Sequence, residues 1–279
     1  MDQGEFIGYV VSEMIHHTRM RGLFLGGSYG QGTADSFSDI DLIALVEPDA
    51  HEDMIAVWRG ILESIAPIVF WNRRGQEKVL LNAITADWLR FDLSLMPPSA
   101  FAGRARKSVK PLIDRDGLYE TLPESLAEKG PDPDKVKFLI DEFIRVLGLL
   151  HVVIGRGEYL VAVTGAGILR NHLTNLMLEE TASAGRGGAL HLSKALPPPD
   201  MALLLSLPFP KPDRNEIIEA HFHIARQFLP RAYGLAARLG LPWPEGFERA
   251  TLRKLGATLG DSIDWQGLAA APKAGGGHL

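Results

Sequence analysis

The sequence predicts an α+β chain: a small mixed-sheet domain over residues 1–117, followed by an α-helical bundle domain over 118–279. Three observations carry that expectation. Between residues 23 and 96, short apolar runs with strand character flank one amphipathic helix. Beyond Pro131 and Pro133 the apolar residues switch to a sustained helical period. The chain has 279 residues, enough for two ordinary domains.

Taken in order, Phe6, Ile7, Val10, Val11, Met14 and Ile15 recur at three-four spacing and predict a helix over 5–20. Leu23-Phe24-Leu25 is a short buried strand that runs into "GGSYGQGTADSFSDIDLIAL". Residues 39–46 form a second strand, and Ile55, Trp58, Ile61, Leu62 and Ile65 mark a helix over 51–65. Strands follow at 68–71, 79–85 and 88–96, the last two joined by the turn Ala86-Asp87. The sheet domain then ends between Pro97 and Gly117. Val136, Leu139, Ile140, Phe143, Ile144, Leu147, Leu150 and Ile154 define a helix over 135–154. Further helices are expected at 165–182, 214–228 and 231–239, with Pro/Gly-rich joints at 185–188 and 197–212. Residues 269–279, "AAAPKAGGGHL", read as a frayed tail.

Composition narrows the function classes. Net charge is −5, which argues against a general nucleic-acid-binding surface. There are no cysteines, so disulfides, thiolate metal sites and a cysteine nucleophile are excluded. The acidic N-terminus lacks signal-peptide features, and no apolar run is long enough to span a bilayer, so a cytoplasmic location without membrane partners is expected. His16-His17 and the pair His221 and His223 have poor chelating spacing on helices, and packing or surface roles suit them better.

The chemistry concentrates in the strands. Residues i and i+2 of a strand share a face, so Asp39 and Asp41 project together while Ile40 and Leu42 point away. Adjacent carboxylates repel unless a cation lies between them, and hard oxygen ligands suit Mg²⁺. In "LRFDLSL", Asp92 is a carboxylate on an otherwise regular strand, with Arg90 and Ser94 on its face. Were this strand beside 39–46, the three carboxylates would suffice for a two-metal phosphoryl-transfer centre. Upstream, Gly26 and Gly27 let backbone approach a phosphate, and Ser28 adds a hydroxyl donor.

Gly27-Ser28, a ten-residue spacer and Asp39-Ile40-Asp41, framed by the two apolar strands, resemble the signature of the nucleotidyltransferase (DNA polymerase β-like) superfamily. Asp92 resembles its third carboxylate. "DEFIRVLGLLHVVIGRGEYL", "GRGGALHLSKALP" and "ARLGLPWPEGFE" are similar to the helical domain of aminoglycoside and lincosamide nucleotidyltransferases.

That resemblance implies an enzyme that moves a nucleoside monophosphate, usually AMP from ATP, to a hydroxyl of a small polar acceptor, releasing pyrophosphate. Asp39, Asp41 and Asp92 would hold two Mg²⁺ ions. Gly26, Gly27 and Ser28 would cradle the triphosphate, with Ser38 a second hydroxyl donor and Lys194 a lysine that reaches the phosphates. Glu142 is the expected general base: Phe138, Val146 and Leu149 lie one turn away, and apolar neighbours would push its pKa upward. The expected assembly is a monomer or homodimer. The other reading is a regulatory protein of the same fold, an antitoxin or an AMP-transferring modifier of proteins. The Arg-X4–6-His spacing of the ribonuclease partners of such antitoxins is met by Arg186 to His191 and Arg214 to His221.

Overall fold

The computed structural model describes residues 3–127, 130–181, 192–260 and 263–269. The chain divides into two compact units, residues 1–127 and 128–279, and its class is α+β.

The first unit runs α1 (Gln3–Met14), β1 (Met20–Leu25), α2 (Gly27–Gly30), β2 (Ile40–Val46), α3 (His51–Ile65), β3 (Ile68–Arg74), β4 (Val79–Thr85), β5 (Arg90–Met96), β6 (Lys110–Asp114) and α4 (Leu118–Thr121). The six strands form one sheet in the order β3-β4-β5-β2-β1-β6. β2 and β5 are parallel, and every other neighbouring pair is antiparallel. The expected helix over 5–20 stops at Met14, because Met20 is buried and already paired with Val46 in the sheet. β6 is an addition to the expected elements. It lies at the edge of the sheet, where Pro111 opposite Phe24 is tolerated because no further strand needs its missing N–H.

One face of this sheet is covered by α1 and α3. Phe91 of β5 lies 4.4 Å from Phe6 (ring centroids) and meets Trp58 edge-on at 6.3 Å. Ile40, Leu42, Leu93 and Leu95 pack into the same core, so the rotation of β2 and β5 is fixed by burial. On the other face, Phe24, Ile43, Leu45, Met96 and Phe101 form a smaller apolar cluster. The residues nearer the N-terminal ends of β2 and β5 on that face are Asp41 and Asp92, and both are half-buried.

The second unit contains α5 (Pro133–Gly148), α6 (Leu150–Gly155), α7 (Tyr159–Glu180), α8 (Leu192–Ala195), α9 (Pro198–Ser206), α10 (Arg214–Leu239) and α11 (Glu245–Leu259). Asp132 and Asp213 cap α5 and α10 by accepting from backbone N–H groups of the first turn. Phe143 and Phe228 stack at 3.7 Å between these two helices. The break expected after residue 228 is absent. α10 runs through Pro230, since Phe228, Leu229 and Ala232 are all fully buried and packing outweighs one lost hydrogen bond. Conversely, the single helix expected over 135–154 divides at Leu149 into α5 and α6. α9 occupies part of the joint expected at 197–212. Among the described residues, no helix is long and apolar enough to cross a membrane.

Candidate active site

The parallel pairing of β2 with β5 sets Asp41 directly against Asp92. Neighbouring strands lie about 5 Å apart, so these carboxylates sit side by side on one face. Asp41 is pushed up to about 6, first by burial, then by the charges of Asp39 and Asp92; Arg104 and Arg90 work in the opposite direction. Asp39 precedes the strand, and its Oδ2 lies 3.8 Å from Arg90 Nη1.

Beside Asp41 on the β1 side, the Gly26 N–H donates to the Asp41 carbonyl at 2.8 Å. Gly27 then adopts a left-handed φ of 50°, and a Cβ there would collide with Asp41 Oδ2. Glycine at 27 is therefore required twice, by backbone conformation and by the closeness of the carboxylate. Gly30 closes the same turn against the Leu25 and Ser108 carbonyls, 2.7 and 2.6 Å from where its Cβ would stand. The Ser28 hydroxyl oxygen is buried with no hydrogen-bond partner in the protein. A buried hydroxyl left without a partner costs roughly 1–3 kcal/mol, so its position asks for a ligand or water.

The expected metal site and the expected base stand differently. Among the described residues, no group of three or more His, Asp or Glu side chains stands ready to hold a metal ion. The three aspartates are brought to one region but do not form a closed ligand cage, Asp39 being turned toward Arg90. The pair Asp41 and Asp92 still fits a hard cation: its oxygens are of the right type, and Asp41 carries a like-charge penalty that a cation would relieve. The expected rise in the Glu142 pKa is the one to correct. Arg145 Nε and Nη2 donate to its two oxygens at 2.7 and 2.6 Å, which holds its carboxyl below the usual range instead of above it. The guanidinium one turn away outweighs the apolar neighbours. Glu142→Gln should accordingly change the maximal transfer rate by less than about 3-fold, read by steady-state kinetics at saturating substrates.

The remaining expected residues are placed as follows. Ser38 accepts from Asp35 N at 2.9 Å and donates to Asp35 Oδ1 at 3.0 Å, so its hydroxyl shapes the loop before β2. Lys194 is exposed on α8 of the second unit. His221 is buried, bonded to the Ile217 carbonyl at 2.8 Å and pushed down to about 4 by burial, so Arg214 and His221 present no exposed Arg–His pair. Arg186 to His191, the rest of the joint at 185–188 and residues 270–279 lie outside the described residues.

Residues unremarked in the sequence also enter the site. Asn82 of β4 faces Asp92 in register, and its Nδ2 donates to Asp92 Oδ1 at 2.8 Å. Arg74 Nη2 donates in turn to Asn82 Oδ1 at 2.8 Å, which fixes the amide's orientation. Asn82 is a positioning residue for Asp92. Its replacement by Ala should lower the maximal rate about 10-fold, with KM for the nucleotide nearly unchanged, as steady-state kinetics would show. Arg104, whose field reaches Asp41, lies in the basic stretch "GRARK", the one sequence signal that points to it.

Residues 17–86 match the family model described as nucleotidyltransferase domain. That segment spans Gly26 to Asp41 and Asn82 and ends before Asp92. No curated protein matches the chain. Among solved structures, an aminoglycoside 6-adenyltransferase from Bacillus subtilis is similar at 15% identity and a TM-score of 0.41, over 91% of this chain and 97% of that one. A nucleotidyltransferase-like protein from Exiguobacterium sibiricum 255-15 is similar at 14% identity and a TM-score of 0.37, over 95% of this chain and 90% of that one. On the family match, the segment that carries Gly27, Ser28, Asp39 and Asp41 is similar to a nucleotidyltransferase domain.

Proposed function

We propose that the protein is a metal-dependent adenylyltransferase that moves AMP from ATP to a hydroxyl of a small polar molecule, an aminoglycoside or lincosamide antibiotic being the class to test first. The observation that carries the reading is Asp41, a half-buried carboxylate set against Asp92, loaded by two like charges and packed against the glycine turn of the unpartnered Ser28 hydroxyl.

In this reading Gly26, Gly27 and Ser28 receive the triphosphate, and Arg104 adds positive charge on the same side. Asp41 and Asp92, with Asp39, would hold divalent cations, and the chemistry these would supply is neutralisation of phosphate charge and a lowered pKa at the acceptor hydroxyl. The acceptor oxygen bonds to the α-phosphorus as the bond to the bridging oxygen of the β-phosphate breaks, and pyrophosphate leaves with that electron pair. Asp92 presents Oδ2 to the acceptor side, its Oδ1 being held by Asn82, and takes the hydroxyl proton before passing it to water. The protein's contribution is position and charge, with no covalent intermediate.

The test is pyrophosphate release from Mg²⁺-ATP in the presence of aminoglycosides, lincosamides and a cell lysate. Release with a small acceptor, with a mass gain of one AMP on it, supports the reading. Release with the lysate alone would replace the small acceptor by a protein.

A further inference from the structure

A pocket of about 270 Å³ opens at the N-terminal ends of β2 and β5, lined by Phe37, Ser38, Ile40, Trp88, Leu89 and Arg90 among others. Two of its walls have no account in the fold. Trp88 is 73% exposed and has a φ of 62°, and among the described residues it is the only non-glycine with a positive φ. The geometry itself is ordinary. Thr85 N donates to the Leu89 carbonyl at 3.1 Å and Trp88 N to the Thr85 carbonyl at 2.9 Å, a tight hairpin connection whose last residue is left-handed. Turn chemistry gives that position to Gly or Asn, and a bulky side chain there costs on the order of 1–3 kcal/mol. Exposure of the indole recovers little of it. Phe37 is 85% exposed although its loop is pinned, its N–H donating to Asp35 Oδ1 at 3.0 Å and its carbonyl accepting from Arg90 Nη2 at 2.7 Å. Two aromatic rings are thus held beside one pocket by a strained turn and a tethered loop, without being packed.

We infer that this pocket binds one uncharged ring of the acceptor, its apolar face laid on Trp88 and Phe37. The inference rests on the nucleotidyl-transfer reading above and names the acceptor chemistry for it. The pocket opens where β2 and β5 begin, on the side of β2 away from β1, whose glycine turn flanks Asp41. Arg90 joins it to the carboxylates, lining the pocket and standing 3.8 Å from Asp39. That guanidinium also sets the charge of the guest, since an ammonium group in the same small space would be repelled. The volume is at the low end of small-molecule sites, so it admits one ring and not a whole multi-ring molecule. A sugar ring with an apolar C–H face and rim hydroxyls meets these conditions.

Trp88→Gly separates this role from a structural one. Glycine suits the left-handed position, so the melting temperature should stay level or rise by about 1–4 °C. KM for the acceptor should rise at least 10-fold, with KM for ATP within about 2-fold. Tryptophan emission titrated with a lincosamide, whose sugar ring is uncharged, should change in the wild type and not in Trp88→Gly. A melting temperature lowered by several degrees, or an unchanged acceptor KM, would overturn the inference. So would an emission change that only adenosine, or only a polycationic aminoglycoside, produces. If the lincosamide signal is lost in Trp88→Gly while no acceptor releases pyrophosphate, the pocket stands and the transfer reading falls. If pyrophosphate is released but acceptor KM is indifferent to Trp88, the reverse holds.

Discussion

Asp41→Asn should abolish nucleotidyl transfer and at the same time stabilise the protein. The two effects share one cause. Asp41 is ionised at neutral pH against burial and against the charges of Asp39 and Asp92, so the fold carries a cost that Arg104 and Arg90 offset in part and a bound cation would relieve further. The amide keeps the shape and removes the charge. Transfer should fall at least ~10³-fold, about 4 kcal/mol of transition-state stabilisation. The melting temperature of the metal-free protein should rise by roughly 2–5 °C, a modest figure because solvent reaches part of the site. The pH dependence has a definite sign. Asp41 is raised from 3.8 to about 6 on folding, so the protonated group favours the folded state. That stability is fully present below about 4 and is lost as pH rises through about 6. Wild type and variant should therefore melt together near pH 4 and separate by pH 7.5. Saturating Mg²⁺ should raise the melting temperature of the wild type and leave the variant unmoved. Thermal melts at the two pH values, with and without Mg²⁺, check all of this. A variant less stable than wild type at pH 7.5 would mean that Asp41 is tied into the fold by a favourable contact, and the electrostatic account would fail.

How much of this was legible in the sequence depends on the range over which each feature is determined. Gly27, Ser28, Asp39 and Asp41 lie within fifteen residues, and the face each strand residue occupies follows from a period of two. Asp92 was readable for the same reason, as a carboxylate on an alternating strand. That it stands against Asp41 and not one residue away is a matter of register between parallel strands, which no local pattern encodes. Asn82 was invisible on this account, because a half-exposed asparagine on a strand means nothing until β4 is placed beside β5. Glu142 failed for a different reason. The apolar neighbours one turn away were weighed, but Arg145 three residues on decides the charge state, and a side-chain contact of this kind is a choice among rotamers. β6 escaped because Lys110 and Pro111 are poor strand formers, acceptable only at a sheet edge. The break expected between residues 228 and 231 fails in the opposite direction, since burial on both sides of Pro230 carries α10 through.

The second large effect is expected at Asp92, and its form tests whether Asn82 acts through it. Asp92→Asn should lower the maximal rate ~10²–10⁴-fold, the range for a positioned group that accepts a proton in the transition state. KM for ATP should stay within about 3-fold, since Asp92 lies across β2 from the glycine turn. The ladder from Arg74 through Asn82 to Asp92 adds a coupling condition. If Asn82 serves only to hold the Asp92 carboxylate, its removal costs about 10-fold in the wild type and almost nothing once Asp92 is Asn. The double variant should then match Asp92→Asn alone, a coupling of about 1.4 kcal/mol. Additive losses would give Asn82 a contact of its own with substrate. A wild-type rate in Asp92→Asn would take the carboxylate out of the chemistry and leave the proton to water. Single-turnover kinetics at saturating ATP measures the chemical step itself, so slow product release cannot hide either result. Asp41 and Asp92, side by side in register, thus make separable predictions: both losses slow transfer, but the pH-dependent stability belongs to Asp41 and the coupling to Asn82 belongs to Asp92.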